Sequence, residues 1–186
     1  AEKEVRQVMI YFLPLILLIL FAATRSWLEP LFFLATMGIA IVINMGTNIF
    51  FGSISFITAT VTPVLQLAVS MDYAIFLLTR YNQYRQEGHD AFQAMQLAVS
   101  KAAPAVTGSA LTTLFGFLAL ILMNFRVGAD MGIVLAKGIV FSLLAVMLFL
   151  PALTLTFYRL LDRTAHRPFL PGFAGWGGFI TRWGVP

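Results

Sequence analysis

The sequence has no cysteine, two histidines and few charges: 12 Lys and Arg against 8 Asp and Glu, 11% of 186 residues. Each scarcity removes a class of function. Without cysteine there is no disulfide, no thiolate metal ligand and no cysteine nucleophile. His89 has no second His, Asp or Glu at ligand spacing and reads as an ordinary surface histidine, so no metal or catalytic residue is assigned. A soluble domain carries about 25% charged residues. A chain that is 60% hydrophobic, with a mean hydropathy of +0.88, is instead an integral membrane protein. The net charge of +4 is dispersed between apolar spans rather than gathered on one face, which argues against a nucleic-acid partner.

What is present is apolar length. Five segments meet the requirement of about 20 residues for a spanning helix, near 8–24, 31–49, 56–79, 104–123 and 131–157. Arg25, Trp27 and Glu29 end the first at an interface, and Pro30 suits the first turn of the second, where its missing N–H is no loss. Gly88-His89-Asp90 breaks the third, and Asp90 with Gln93 resembles a capping box. Residues 90–102 then place Phe92, Met95, Val99 and Ala102 opposite Gln93, Gln96 and Lys101, the pattern of a short amphipathic helix lying on the membrane surface. Pro104 is expected to start the fourth span. The fold class is therefore all-α integral membrane, a bundle of about five transmembrane helices plus one short interfacial helix.

The third span contains one acid. Asp72 is the sole charged residue between Phe56 and Thr79, whereas the other seven acids lie at or beyond the ends of apolar segments. An aspartate near mid-membrane is opposed by about 2.5–3.5 kcal/mol on insertion scales, so such a residue is a functional candidate by default. Ser55, Thr58, Thr62, Gln66 and Tyr73 share an arc of the same helix, with Asp72 beside its edge. Such a stripe faces protein or water, as inter-helix glue or as the lining of a polar pathway through Thr62, Gln66 and Ser70. Pro63 removes a backbone hydrogen bond in this helix and is expected to kink it. Lys137, the second intramembrane charge, either snorkels to an interface or acts as a counter-charge to Asp72. Gly108, Thr112 and Gly116 form one stripe of small residues, and Gly128, Gly132 and Ala136 another. Both are expected to pack helices tightly.

With the start of the chain outside, eight basic residues (Arg25, Arg80, Arg85, Lys101, Arg159, Arg163, Arg167 and Arg182) fall inside, against Lys3, Arg6 and Arg126 outside. That satisfies the positive-inside rule. The opening Ala-Glu-Lys-Glu-Val-Arg has neither Met nor a signal-peptide pattern and reads as part of something larger.

Met71-Asp72-Tyr73-Ala74-Ile75-Phe76-Leu77 followed by Thr79-Arg80-Tyr81 resembles the signature of the RND superfamily, specifically its MMPL-like branch. The resemblance continues through Ala105-Val106-Thr107-Gly108-Ser109-Ala110-Leu111-Thr112-Thr113 and Phe149-Leu150-Pro151-Ala152-Leu153. It implies that residues 1–163 are helices two to six of one six-helix half, the N-terminal one, and that 164–186 connect toward a second half. It also implies a large extracytoplasmic domain outside this sequence. Relatives of this kind are proton-driven exporters of lipids, hydrophobic drugs or similar amphiphiles in the plasma membrane, with protons as coupling ion and no cofactor. Their acid-tyrosine pair relays protons, a role the resemblance carries onto Asp72 and Tyr73. The multidrug branch has neighbouring acids here, whereas this chain has a single acid followed by Tyr73, and Lys137 matches no hallmark of the family. A lipid- or sterol-sensing bundle without transport is the alternative. An intramembrane aspartyl protease would need two acids cooperating on one water, and only Asp72 is available.

Overall fold

The computed structural model describes residues 26–52 and 54–164, and every element within them is helical. The first expected span and the connector from 165 onward lie outside the described residues. The second expected span is α1, Glu29–Gly46, with Pro30 in its first turn, extended by a 3₁₀ segment Thr47–Phe51. α2 runs Phe56–Gln86 and passes through Pro63 as one continuous helix. Gly88, at φ +95°, turns the chain, and Asp90 caps α3 by accepting from the Gln93 N–H at 2.7 Å. α3 runs Ala91–Ala119 with a 3₁₀ end at Leu120–Leu122. α4 follows as Arg126–Leu144, then a π turn at Ala145–Phe149, α5 at Leu150–Thr156 and a short α6 at Tyr158–Arg163. Pro151 lacks the N–H that an α turn would direct to the Met147 carbonyl, which accounts for the wider turn just before it. Four of these helical stretches, 29–50, 56–86, 91–122 and 126–156, are long and apolar enough to cross a bilayer. The protein is an all-α, multi-pass membrane bundle.

One expectation is corrected. Residues 90–102 are not a separate helix on the membrane surface, because α3 continues unbroken through Pro104. A proline inside a helix forfeits one backbone bond, here to the Ser100 carbonyl, and tertiary packing compensates. Ala94, Ala98, Ala102, Val106 and Ala110 recur every four residues and are all buried in the common core with Tyr73, Ala74 and Leu77 of α2. Met95 is buried there too, whereas Phe92 projects outward. The amphipathic pattern therefore marks three turns of a spanning helix that pack on protein and rise past the hydrocarbon. At 1.5 Å per residue, 29 residues measure roughly 44 Å against a hydrocarbon core of about 30 Å.

The two stripes of small residues behave differently. A methyl group built on Gly132 of α4 would stand 2.7 Å from the Phe117 carbonyl oxygen of α3, so close approach of these helices requires glycine. Around Gly108 and Gly116, on the outer face of α3, nothing lies within 4 Å. Thr112 spends its hydroxyl on the Gly108 carbonyl of its own helix. The first stripe packs against nothing among the described residues; the second holds α4 against α3.

Candidate functional site

α2 organises the interior polar groups. Thr58, Thr62, Gln66 and Ser70 follow one another at four-residue spacing and are all buried. Gln66 is fully engaged: Nε2 donates to the Gly138 carbonyl at 3.2 Å and to Ser142 Oγ at 3.1 Å, and Oε1 accepts from Asn44 Nδ2 at 2.7 Å. Asn44 Nδ2 also reaches the Val134 carbonyl at 3.2 Å. One amide thus bridges α1, α2 and α4, and Gly138 leaves the space: a methyl there would meet Asn44 Nδ2 at 2.7 Å and Gln66 Oε1 at 3.0 Å. The sequence flagged Gln66 but not its partners Asn44 and Ser142. A lone Asn in the run Ile41-Val42-Ile43-Asn44 was the available signal. The hydroxyls of Thr58, Thr62 and Ser70 are buried without a partner among the described residues. Replacing Gln66 with Leu takes away one of the two acceptors of Asn44 Nδ2 and the donor to the Gly138 carbonyl and Ser142 Oγ in an apolar interior, and we expect a loss of about 1–3 kcal/mol. A lowered thermal unfolding midpoint of the detergent-solubilised protein checks this.

Asp72 does not join that seam. It lies about 120° round the helix from Gln66 and is exposed on the flank of the bundle. There it lines a groove of about 170 Å³ between α2 and α3, with Tyr73, Phe76, Ala105, Val106 and Ser109. Tyr73 turns inward and is 4% exposed, and its hydroxyl has no partner among the described residues. Acid and phenol therefore border one groove without a hydrogen bond between them. Successive helical residues point about 100° apart, so neighbours in sequence do not face each other.

Nor does Lys137 meet Asp72. Its Nζ donates to Asn48 Oδ1 at 2.5 Å, at the far end of α1. α2 and α4 run in the same direction, and Gln66 lies level with Gly138 and Ser142. Asp72 is six residues further along α2, about 9 Å, whereas Lys137 precedes Gly138. The two charges are separated in depth, and Asp72 faces α3 rather than α4. Lys137 is not its counter-charge in this structure, and Asp72 has no hydrogen bond or ion pair among the described residues.

At the end of the bundle where α1 starts, a second polar cluster forms that the sequence did not single out. Glu29 is 4% exposed and accepts from Asn82 Nδ2 at 2.8 Å. Arg85 pairs with Asp162 of α6 at 2.6 Å. At the opposite end, Asp130 Oδ2 accepts the Ser55 N–H that precedes α2, at 3.3 Å.

Comparison with known proteins adds the family. The chain is 32% identical over 161 residues to a Mycobacterium tuberculosis protein named "Probable transport protein MmpL12", covering 84% of this chain and 14% of that protein. It is 30% identical over 112 residues to the apo-petrobactin exporter of Bacillus anthracis, covering 60% of this chain and 14% of the relative. It is 25% identical over 150 residues to the membrane protein YdfJ of Bacillus subtilis, covering 78% of this chain and 20% of the relative. The chain spans between 14% and 23% of the lengths of such relatives. No solved structure matches it. The sequence profile of the MMPL family matches residues 1–186, the whole of this bundle and its flanks, and the chain belongs to that family.

Proposed function

We propose that this chain supplies the proton-coupling transmembrane helices of an exporter driven by the proton-motive force, whose cargo is a lipid or another hydrophobic or amphiphilic compound. The observation that carries the reading is the position of Asp72. A carboxylate within a spanning helix is intolerable against lipid tails, yet Asp72 stands on the outer flank of the bundle without a partner among the described residues. The outer face of α3 beside it is lined by Gly108, Thr112 and Gly116, small residues that admit a close neighbouring helix. This flank is where further spanning segments of the same protein cover the acid, and the relatives are several times longer than this chain. In that arrangement residues 1–163 act as helices two to six of one half, and 164–186 lead toward the second half and an extracytoplasmic domain. The start of the chain lies outside and its end in the cytoplasm of a plasma membrane, as the basic residues ask.

A groove that opens and closes around Asp72 alternates the acid between water, where charge is favoured, and a dry contact, where the neutral form is favoured. The phenol of Tyr73, which borders the same groove and has no partner among the described residues, is a group able to pass or hold a proton. The names of relatives, one a transport protein and one an exporter, support transport rather than catalysis. The test uses inverted membrane vesicles containing the full-length protein and the amphiphile rhodamine 6G. Uptake that follows an imposed pH gradient and stops when a protonophore collapses it is the expected result. Uptake that survives collapse of the gradient would overturn the proposal.

A further inference from the structure

α2 is connected at each end through a glycine in the left-handed region. Gly52, at φ +78°, and Gly88, at φ +95°, are the only residues with positive φ among the described ones, and they flank this helix. Glycine crosses between conformations that are closed to other residues, so α2 is a rod between two pliable joints. The bonds that tie its ends to neighbouring helices lie at the rims of the bundle. At one rim the Ser55 N–H meets Asp130. At the other, Asn82 meets Glu29 and Arg85 meets Asp162, around an open cavity where water can replace a lost partner.

Between the rims, the polar face of α2 has more groups than partners. Thr36, Thr60, Thr112, Thr113 and Thr156 each return the hydroxyl to the carbonyl four residues earlier in their own helix. Thr58 and Thr62 do not. Both are fully buried with hydroxyls that bond to nothing, and Asn44 Oδ1, beside Gln66, is equally unmatched. These three oxygens have almost no accessible surface, so neither water nor a ligand reaches them. Their partners can come only from protein that moves.

One movement supplies all three. Thr58, Thr62 and Gln66 lie one turn apart along α2, and α4 runs in the same direction with Val134, Gly138 and Ser142 at the same interval. In this structure it is Gln66 that sits opposite Gly138 and Ser142. We propose that α2 slides along α1 and α4 by one helical turn, about 5.4 Å, toward the end of the bundle where α1 starts. Thr62 then fills the slot beside Gly138 and donates to Asn44 Oδ1. Thr58 comes level with the Val134 carbonyl, and Gln66 keeps Ser142, the next small residue of α4. A step of one turn brings the ridges of one helix back into the grooves of the other, which makes the second register a discrete state. Asp72 travels the same distance. The proposal rests on the reading of this chain as part of a transporter, but not on protons as the coupling ion.

The test places spin labels at Gln86→Cys and Asn124→Cys, exposed positions at opposite ends of the bundle. The full-length protein, freed of any other cysteine, is held in nanodiscs, and the separation of the labels is measured by double electron–electron resonance at mildly acid and mildly alkaline pH. Two separations that differ by about 5 Å are expected. Thr62→Val keeps the shape of the side chain and removes the hydrogen bond gained in the second register. It is expected to shift the ratio about fivefold toward the shorter separation. Thr60→Val deletes a hydroxyl bonded within its own helix and should leave the ratio unchanged. A single separation at both pH values would overturn the proposal. So would a Thr62→Val variant with the ratio of the unaltered protein. The readout is a distance, so normal transport by an Asp72→Asn variant would count against proton coupling and leave the sliding step standing.

Discussion

The full-length protein carrying Asp72→Asn reaches the membrane in normal amount and transports no cargo above the level seen with a protonophore. Asn keeps the shape of the side chain and most of its hydrogen-bonding capacity but cannot take up or release a proton. The substitution should leave the fold intact, since Asp72 has no hydrogen bond or ion pair to lose among the described residues and lies outside their packed core. It also removes a charge from a spanning helix, so if it changes stability at all, the change is toward greater stability. Folding and transport are thus driven in opposite directions by one change. Transport assays paired with quantitative membrane immunoblots read both. An Asn variant that exports normally at normal abundance ends the proton-coupling proposal.

The second large effect is structural. Gly132→Val introduces a side chain whose first carbon already stands 2.7 Å from the Phe117 carbonyl oxygen, 3.1 Å from Leu120 Cβ and 3.2 Å from Ile121 Cγ1. The closest of these is backbone, which cannot swing aside as a side chain would, so α3 and α4 have to separate. Overpacking of this kind costs about 1–3 kcal/mol. We expect a clear fall in the unfolding midpoint of the detergent-solubilised protein and reduced yield in the membrane. Gly108→Val is the control, with both variants read in the 186-residue chain alone, without the further segments proposed to cover that face, because nothing among the described residues lies within 4 Å of that glycine. Its effect on the stability of the same protein should stay within about 0.5 kcal/mol. Equal effects at the two positions would contradict the packing described here.

The contrast between those glycines shows where sequence reading stops. Both sit in stripes of small residues that look alike along the chain, and spacing alone carries no information about which helix lies opposite. Hydropathy located each of the four described spans because bilayer thickness sets a minimum apolar length that little else satisfies. It misplaced the boundary at Pro104, where burial of Ala94, Ala98 and Ala102 against α2 outweighed the helix-breaking tendency of proline. Asp72 was conspicuous because it is a charge in an apolar run. Its separation from Lys137 was not legible, since that depends on the axial stagger of α2 against α4, fixed by the Gln66 contacts. The Glu29, Arg85 and Asp162 cluster is assembled from residues 56 to 133 positions apart, each of them ordinary at a helix end.

The π turn at Ala145–Phe149 settles a problem of phase. In a regular α-helix each step of four residues rotates the side chain by about 40°, so a line of residues at that spacing winds away from its neighbours. Ser142, Val146, Leu150 and Thr154 keep that spacing and are nevertheless all fully buried. The wider turn takes back part of the accumulated rotation, acting as a vernier that realigns the lower third of the rod with the companions it began against.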